Sequence, residues 1–151
     1  MGDEEAAALT RYLHESIPLT AAMEIAAVAA DPERVCLAAP LGPNRNHQGG
    51  VFGGSIATLG LAACWALART RVRDRAPEPV LMVGEQRVRY LRPAEHAIEA
   101  TCEAPAADTW AQFRDALDRR GRARVELEAA VVSGGVTVAR FHGRFHALAR
   151  T

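Results

Sequence analysis

The length, composition and charge of the chain favour one soluble domain. The chain has 151 residues, 49% of them hydrophobic, which is enough to bury a core without disulfides or metal staples. Its 18 basic and 18 acidic residues cancel to a formal net charge of zero, so neither nucleic acid nor an anionic membrane is an expected partner.

The cysteines and the amino terminus both favour a cytoplasmic protein. Cys36, Cys64 and Cys102 are far apart and set among apolar neighbours, as expected of buried thiols in a reducing compartment. They show no spacing typical of a zinc site, so neither a metal nor a redox cofactor is predicted. Residues 1–5 are acidic where a signal peptide is basic, and the longest apolar run, 56–68, is shorter than the roughly 20 residues of a membrane span.

The first third of the chain predicts a helix, a pair of strands and a loop. Apolar residues at helical spacing predict a helix over about residues 4–16, with Pro18 following its end. Two apolar segments on either side of Asp31-Pro32 predict two strands within residues 21–39. Prolines, asparagines and glycines then crowd residues 40–54, which predicts a loop.

The helix after this loop carries apolar residues on nearly every face. Ile56, Leu59 and Leu61 lie on different sides of it, so we expect the rest of the fold to enclose the helix. Leu61 and Trp65 are accordingly predicted to be structural residues of the core.

Beyond Pro79 the apolar period falls from about 3.6 to 2, which is typical of strands. The first two strand candidates cover residues 80–91 and 97–103. Two cleaner candidates lie on either side of a glycine turn at residues 133–135. The sequence therefore predicts an antiparallel meander.

A short helix interrupts these strands and completes the order of elements. Thr109 and Gln112 have capping-box spacing, and Gly121 stands where a helix should end. Helix, two strands, buried helix, two strands, short helix, two strands describes one α+β domain over residues 1–151. A sheet that wraps one helix on its concave side is the hot-dog arrangement.

The loop segment 46–55 contains the residues that point to chemistry. It runs directly into the buried helix, where the first-turn N–H groups of Gly53, Gly54 and Ser55 are expected to be free to meet a ligand. Glycine lets a ligand approach the backbone, and the helix dipole stabilises the oxyanion that forms when a carbonyl is attacked. A tight turn needed only for close packing is the alternative interpretation.

Three segments of the chain resemble one protein family. Residues 46–55 (NHQGGVFGGS), 88–93 (VRYLRP) and 121–125 (GRARV) look like the hot-dog-fold thioesterase-like domains found alone or fused behind GNAT acetyltransferases. The resemblance implies the hot-dog fold and hydrolysis of an acyl thioester, with acyl-CoA or acyl-carrier protein as the substrate. It also implies a homodimer or a dimer of dimers, whose sheets join edge to edge and whose pockets lie between subunits at the amino ends of the central helices.

One position departs from the pattern of that family. Many hot-dog thioesterases carry a carboxylate about two turns into the central helix, where this chain has Leu61 or an apolar neighbour. His47 is the first candidate for the missing base, because it lies in the loop and imidazole titrates near neutral pH. Glu85 is the second, because its strand is expected to run near the partner's helix. The alternatives are that His47 braces the turn and that Glu85 pairs with an arginine.

The remaining candidates contact the substrate or hold the site together. Asn46 organises the turn or orients a water molecule, while Arg89 and Tyr90 are candidates to contact the CoA portion. Ser55 is interpreted as a helix-start residue rather than a nucleophile. Two other functions stay open: a non-catalytic module that binds acyl-CoA or acyl-carrier protein, and a hydratase or dehydratase.

Overall fold

The computed structural model describes residues 2–151 as six strands that all contact one long helix. The elements in chain order are α1 (Gly2–Ser16), α2 (Pro18–Ala22), β1 (Ala26–Asp31), β2 (Arg34–Ala39), α3 (Gly53–Thr70), β3 (Val80–Tyr90), β4 (Ile98–Glu103), α4 (Ala107–Arg120), β5 (Arg122–Ser133) and β6 (Val136–Leu148). A short 3-10 turn, Gly42–Asn44, lies between β2 and α3. The predicted α+β fold, an antiparallel sheet around a central helix, is confirmed.

The strand order differs from a simple meander. The sheet runs β1-β2-β4-β5-β6-β3, and every neighbouring pair is antiparallel. β3 and β4 are consecutive in the chain but are not neighbours, because β3 pairs with the far side of β6. The two edges of the sheet are therefore β1 and β3.

The first part of the chain contains a helix that the sequence analysis missed. Pro18 starts α2, since a proline at the first helical position has no N–H that would need a partner. Glu24 follows that helix with φ of 56°, a left-handed conformation that turns the chain toward β1. The first strand accordingly begins at Ala26, not near residue 21 as predicted.

Helix α4 is confirmed, but its predicted capping box is wrong. The helix begins at Ala107, and Ala106 before it makes no side-chain cap hydrogen bond. Thr109 therefore lies inside the first turn rather than at the cap. The other end is as predicted, because Gly121 closes the helix with φ of 71°, which glycine adopts without strain.

The core lies between α3 and the concave face of the sheet. Alternate residues of β5 from Ala123 to Val131 are buried, while Phe141 and Phe145 of β6 are 1% and 0% exposed. Gly60 brings α3 close to β6, since a Cβ at this position would stand 2.7 Å from Cβ of Phe141.

The three cysteines are free thiols inside the fold, as the sequence analysis expected of their packing. Cys64 and Cys102 are fully buried, and Cys36 is 3% exposed. Burial raises the pKa of the Cys64 thiol well above its usual value. Cys64 therefore packs as a small neutral side chain.

Helix α3 is not enclosed on every face, which corrects the prediction for Leu61 and Trp65. A half-buried stripe runs along it, made of Gly54, Ala57, Thr58, Leu61 and Trp65. Leu61 and Trp65 do pack against the core on one side. Trp65 also stacks on Tyr12 of α1, with ring centroids 6.3 Å apart. Both residues stay half-buried because the sheet ends at β3, and no strand within residues 2–151 continues beyond it.

The two edges of the sheet differ in whether another element covers them. Helix α1 covers the β1 edge, where the N–H of Ala27 donates to Oγ1 of Thr10 at 2.8 Å and Nε2 of His14 lies 2.6 Å from the carbonyl oxygen of Ile25. The outer edge of β3 pairs with no strand in residues 2–151, and most of its side chains are exposed. A long bare edge is a template for pairing with another chain.

We predict that Gly60→Ala lowers the stability of the protein. Overpacking against Cβ of Phe141 costs about 1–3 kcal/mol, which outweighs the roughly 0.5–1 kcal/mol that alanine gains over glycine in a helix. Thermal unfolding measures the difference, with Gly42→Ala as the control, because a Cβ at Gly42 meets nothing within 4 Å. A melting temperature for Gly60→Ala equal to or above that of wild type would contradict the described contact between α3 and β6.

Candidate active site

The loop before α3 is anchored by a buried asparagine. Asn44 is 2% exposed, and its Nδ2 donates to the carbonyl oxygens of Met23 at 2.9 Å and Pro40 at 2.8 Å. Its own carbonyl oxygen accepts the N–H of Phe52 at 2.7 Å, which fixes the residue that precedes α3. The sequence analysis missed this role, since an asparagine in a stretch rich in proline and glycine is equally typical of an exposed turn.

Asn46 braces the tip of the same loop. Its Oδ1 accepts the N–H groups of Gln48 at 2.8 Å and Gly50 at 3.1 Å, and its N–H donates to the carbonyl oxygen of Gly50 at 2.7 Å. The carboxamide oxygen of Asn46 thus stabilises the turn, which is the first of the two roles that the sequence suggested for this residue.

Two of the three expected N–H donors at the start of α3 are free. The N–H groups of Gly53 and Gly54 have no partner among residues 2–151. The N–H of Ser55 donates to the carbonyl oxygen of Phe52 at 3.0 Å, and the Ser55 residue is buried. The free donors are therefore a pair at the positive end of an 18-residue helix dipole.

An open cleft of about 310 Å³ lies beside these donors. Its wall includes Gly53 and Ile56 of α3 and Tyr90 and Leu91 at the end of β3. The hydroxyl of Tyr90 donates to the carbonyl oxygen of Gly53 at 2.8 Å, so the end of β3 is tied to the start of the helix. Tyr90 and Leu91 are 54% and 45% exposed at the cleft, and Arg92 and Pro93 continue its wall.

His47 stands at the tip of the loop, on the turn that Asn46 braces. The residue is exposed and its imidazole makes no hydrogen bond within the described part of the chain. No contact brings it to Gly53 within one protomer. Within the same residues 2–151, no three His, Cys, Asp or Glu side chains converge as a metal site would require.

A β-bulge decides where the candidates on β3 point. The pairing of β3 with β6 shifts register between Val83 and Glu85, so Gly84 is the extra residue. Beyond the bulge Glu85 lies on the outer face of the sheet, with its Oε2 3.4 Å from Nη1 of Arg144. The structure thus shows the ion pair and does not bring Glu85 to the cleft of its own protomer.

The bulge also decides which face of the sheet each later residue of β3 occupies. Arg89 lies opposite Arg140 on the outer face, while Tyr90 reaches the start of α3. Gln86 shares the concave face with Tyr90, because the two are four residues apart on a strand whose side chains alternate. The sequence analysis missed Gln86, although a glycine inside a strand pattern is a recognised sign of a bulge.

A family model described as "Putative thioesterase (yiiD_Cterm)" matches residues 6–149. No curated protein sequence matches the chain. Within the described residues, no helix combines the length and the apolar character needed to cross a membrane.

Several solved structures share the fold over almost their whole length. A protein of unknown function from Chlorobaculum tepidum is 26% identical, with 99% of this chain and 97% of that one covered and a TM-score of 0.91. A putative thioesterase from Shewanella oneidensis is 26% identical, with 97% and 99% covered and a TM-score of 0.83. A probable thioesterase from Pseudomonas aeruginosa is also 26% identical, with 95% of each chain covered and a TM-score of 0.82. Since the family model spans nearly the full chain, this chain belongs to the family described as "Putative thioesterase (yiiD_Cterm)" and has the hot-dog fold.

Proposed function

We propose that this protein hydrolyses acyl thioesters of coenzyme A or acyl-carrier protein in the cleft at the start of α3. The observation that supports this most directly is the pair of free N–H groups of Gly53 and Gly54 at the start of α3, where Gly53 forms part of the wall of the cleft. Donors that are already in place stabilise the charge that develops on a carbonyl oxygen under attack. The family assignment agrees with this chemistry.

In the proposed reaction the thioester carbonyl oxygen accepts hydrogen bonds from Gly53 and Gly54. A water molecule attacks the carbonyl carbon, and the resulting oxyanion stays on the same two donors. Collapse of the tetrahedral intermediate breaks the carbon–sulfur bond and releases the acid and the thiol. His47 takes the proton from water and returns it to the departing thiolate, because it is an exposed imidazole on the loop that leads into the site.

We further propose that a second copy of the chain completes the site. The cleft is open and its wall includes Tyr90 of β3, whose bare edge is the counterpart of the β1 edge that α1 covers. Antiparallel pairing of β3 with β3 of a second copy would join the two sheets through main-chain hydrogen bonds. It would also cover the exposed side chains of Val83 and Tyr90.

A non-catalytic module that binds acyl thioesters is the second candidate. The observation that favours it is the sequence of α3, which has no Asp, Glu or His from Gly53 to Thr70. The carboxylate that acts in many hot-dog thioesterases is thus absent from the helix. Binding of acyl-CoA without release of thiol would identify this function.

We predict that His47→Ala lowers kcat for thiol release by roughly 10² to 10⁴, the usual contribution of a general base. The binding of acyl-CoA should change little, since proton transfer acts in the transition state. Glu85→Gln serves as the matched comparison and should retain turnover, because Glu85 faces Arg144 on the outer side of the sheet. Thiol release is followed with a chromogenic disulfide, and binding by calorimetry. Full turnover by a folded His47→Ala protein would show that this imidazole is not the base.

We predict a dimer at low micromolar concentration that Val83→Lys converts to monomer. A charge on the β3 edge opposes strand pairing, and the loss of the dimer should abolish turnover. Val136→Lys is the matched control, because Val136 is also exposed, at 42% against 37% for Val83, but lies on β6 away from the edge. Analytical ultracentrifugation measures the mass. A wild-type monomer with full activity would contradict the shared site.

A further inference from the structure

On the concave face of β3, which faces α3, the exposed Gln86 is the one polar side chain without a hydrogen bond among the described residues. Three hydrogen-bonding side chains of β3 and α3 already have partners: Oγ1 of Thr58 donates to Gly54, Nε1 of Trp65 to Leu81 and the hydroxyl of Tyr90 to Gly53, at 2.8, 3.0 and 2.8 Å. The carboxamide of Gln86 makes no hydrogen bond within residues 2–151. It therefore keeps both its donor and its acceptor capacity.

The pairing with β6 fixes the direction of Gln86. Its cross-strand neighbour is Gly143, which lies between the buried side chains of Phe141 and Phe145. A Cβ at Gly143 would stand 2.8 Å from both rings, so no larger residue fits there without a shift. Gln86 thus faces the concave side and has no cross-strand side chain beside it.

The bulge that turns Gln86 inward depends on the glycine at position 84. A Cβ at Gly84 would stand 2.5 Å from Nε2 of His146, so glycine is the residue that this close approach accommodates. If Gly84 were paired in regular alternation instead of forming the bulge, Glu85 would follow it on the concave side, the side that Val83 faces. The bulge thus exchanges a charged side chain for a neutral amide.

The position of Gln86 matches the acyl end of a bound substrate. Gln86 lies four residues before Tyr90, which is about 13 Å along a strand. An acyl group whose carbonyl is held by Gly53 and Gly54 would extend along the half-buried stripe of α3 and reach this level. Once the acyl group and a second copy exclude water, an amide without a partner becomes costly.

We propose that the acyl group of the substrate carries a hydrogen-bonding substituent, a hydroxyl or carbonyl on the order of 10 Å from the thioester carbonyl, which binds the carboxamide of Gln86. This inference rests on the proposed hydrolysis of acyl thioesters and names the class of acyl group. A plain hydrocarbon chain would leave the amide unpaired, and sites built to bond a polar group discriminate against analogues that lack it.

The test compares ω-hydroxyacyl-CoAs with plain acyl-CoAs of six, eight and ten carbons, a series whose terminal hydroxyl moves progressively further from the carbonyl, toward the level of Gln86. Wild type should favour a hydroxylated member by about 10- to 100-fold in kcat/KM for thiol release. Gln86→Leu should abolish or reverse that preference while it retains hydrolysis of the plain chain. Arg87→Leu is the matched control on the next residue, whose side chain lies on the outer face opposite His142, and should keep the wild-type preference.

The outcomes separate this inference from the proposed function. Equal kcat/KM for hydroxylated and plain chains at every length, or a preference unchanged in Gln86→Leu, would overturn the role of Gln86 and leave hydrolysis intact. No thiol release from any acyl-CoA would overturn hydrolysis. The ratio of dissociation constants for the same two series, measured by calorimetry on wild type and Gln86→Leu, would then decide the role of Gln86. Failure of every acyl-CoA to bind would overturn both proposals.

Discussion

Main-chain groups that lack a partner constrain the whole molecule, because an unpaired N–H or C=O is costly once it loses water. Helix α1 meets this constraint at the β1 edge through Thr10 and His14. Nothing within residues 2–151 meets it at the β3 edge or at the N–H groups of Gly53 and Gly54. These two sets of unpaired groups meet where Tyr90 at the end of β3 contacts Gly53. The proposed dimer supplies partners to the first set, and the proposed substrate supplies them to the second.

The bulge at Gly84 allows one strand to serve two surfaces. Beyond it, Glu85 joins the charged outer face through Arg144, whereas Gln86 and Tyr90 belong to the surface that faces α3. The concave side is in this way kept free of carboxylates from β3 as well as from α3. A site of this composition depends on backbone donors for charge stabilisation, and in our proposal on a base from the loop, His47.

Much of the fold follows from local patterns in the sequence. The strict alternation in β5 and the left-handed Gly121 after α4 predict their elements because each depends on near neighbours alone. The donors at Gly53 and Gly54 were predictable for the same reason, since any helix leaves its first N–H groups unpaired. The pairing of β3 with β6 was not, because strand order depends on long-range packing that periodicity does not encode.

The directions of side chains at the site could not be predicted for the same physical reason. Alternation along β3 does not tell which face Glu85 occupies, because one extra residue reverses the phase of everything after it. The apolar stripe of α3 predicted full enclosure of Leu61 and Trp65, whereas the sheet stops at β3 and leaves them half-buried. Apolar residues at a surface reserved for another molecule carry the same pattern as residues of a core.

A crystal structure with a ketone analogue of an acyl-CoA, in which CH₂ replaces the thioester sulfur, tests the central claim most directly. The analogue keeps the carbonyl oxygen but cannot release thiol. We expect that oxygen within hydrogen-bonding distance of the N–H groups of Gly53 and Gly54, with β3 of a second copy closing the cleft. An analogue bound on the outer face of the sheet, or with its carbonyl away from both N–H groups, would contradict the account.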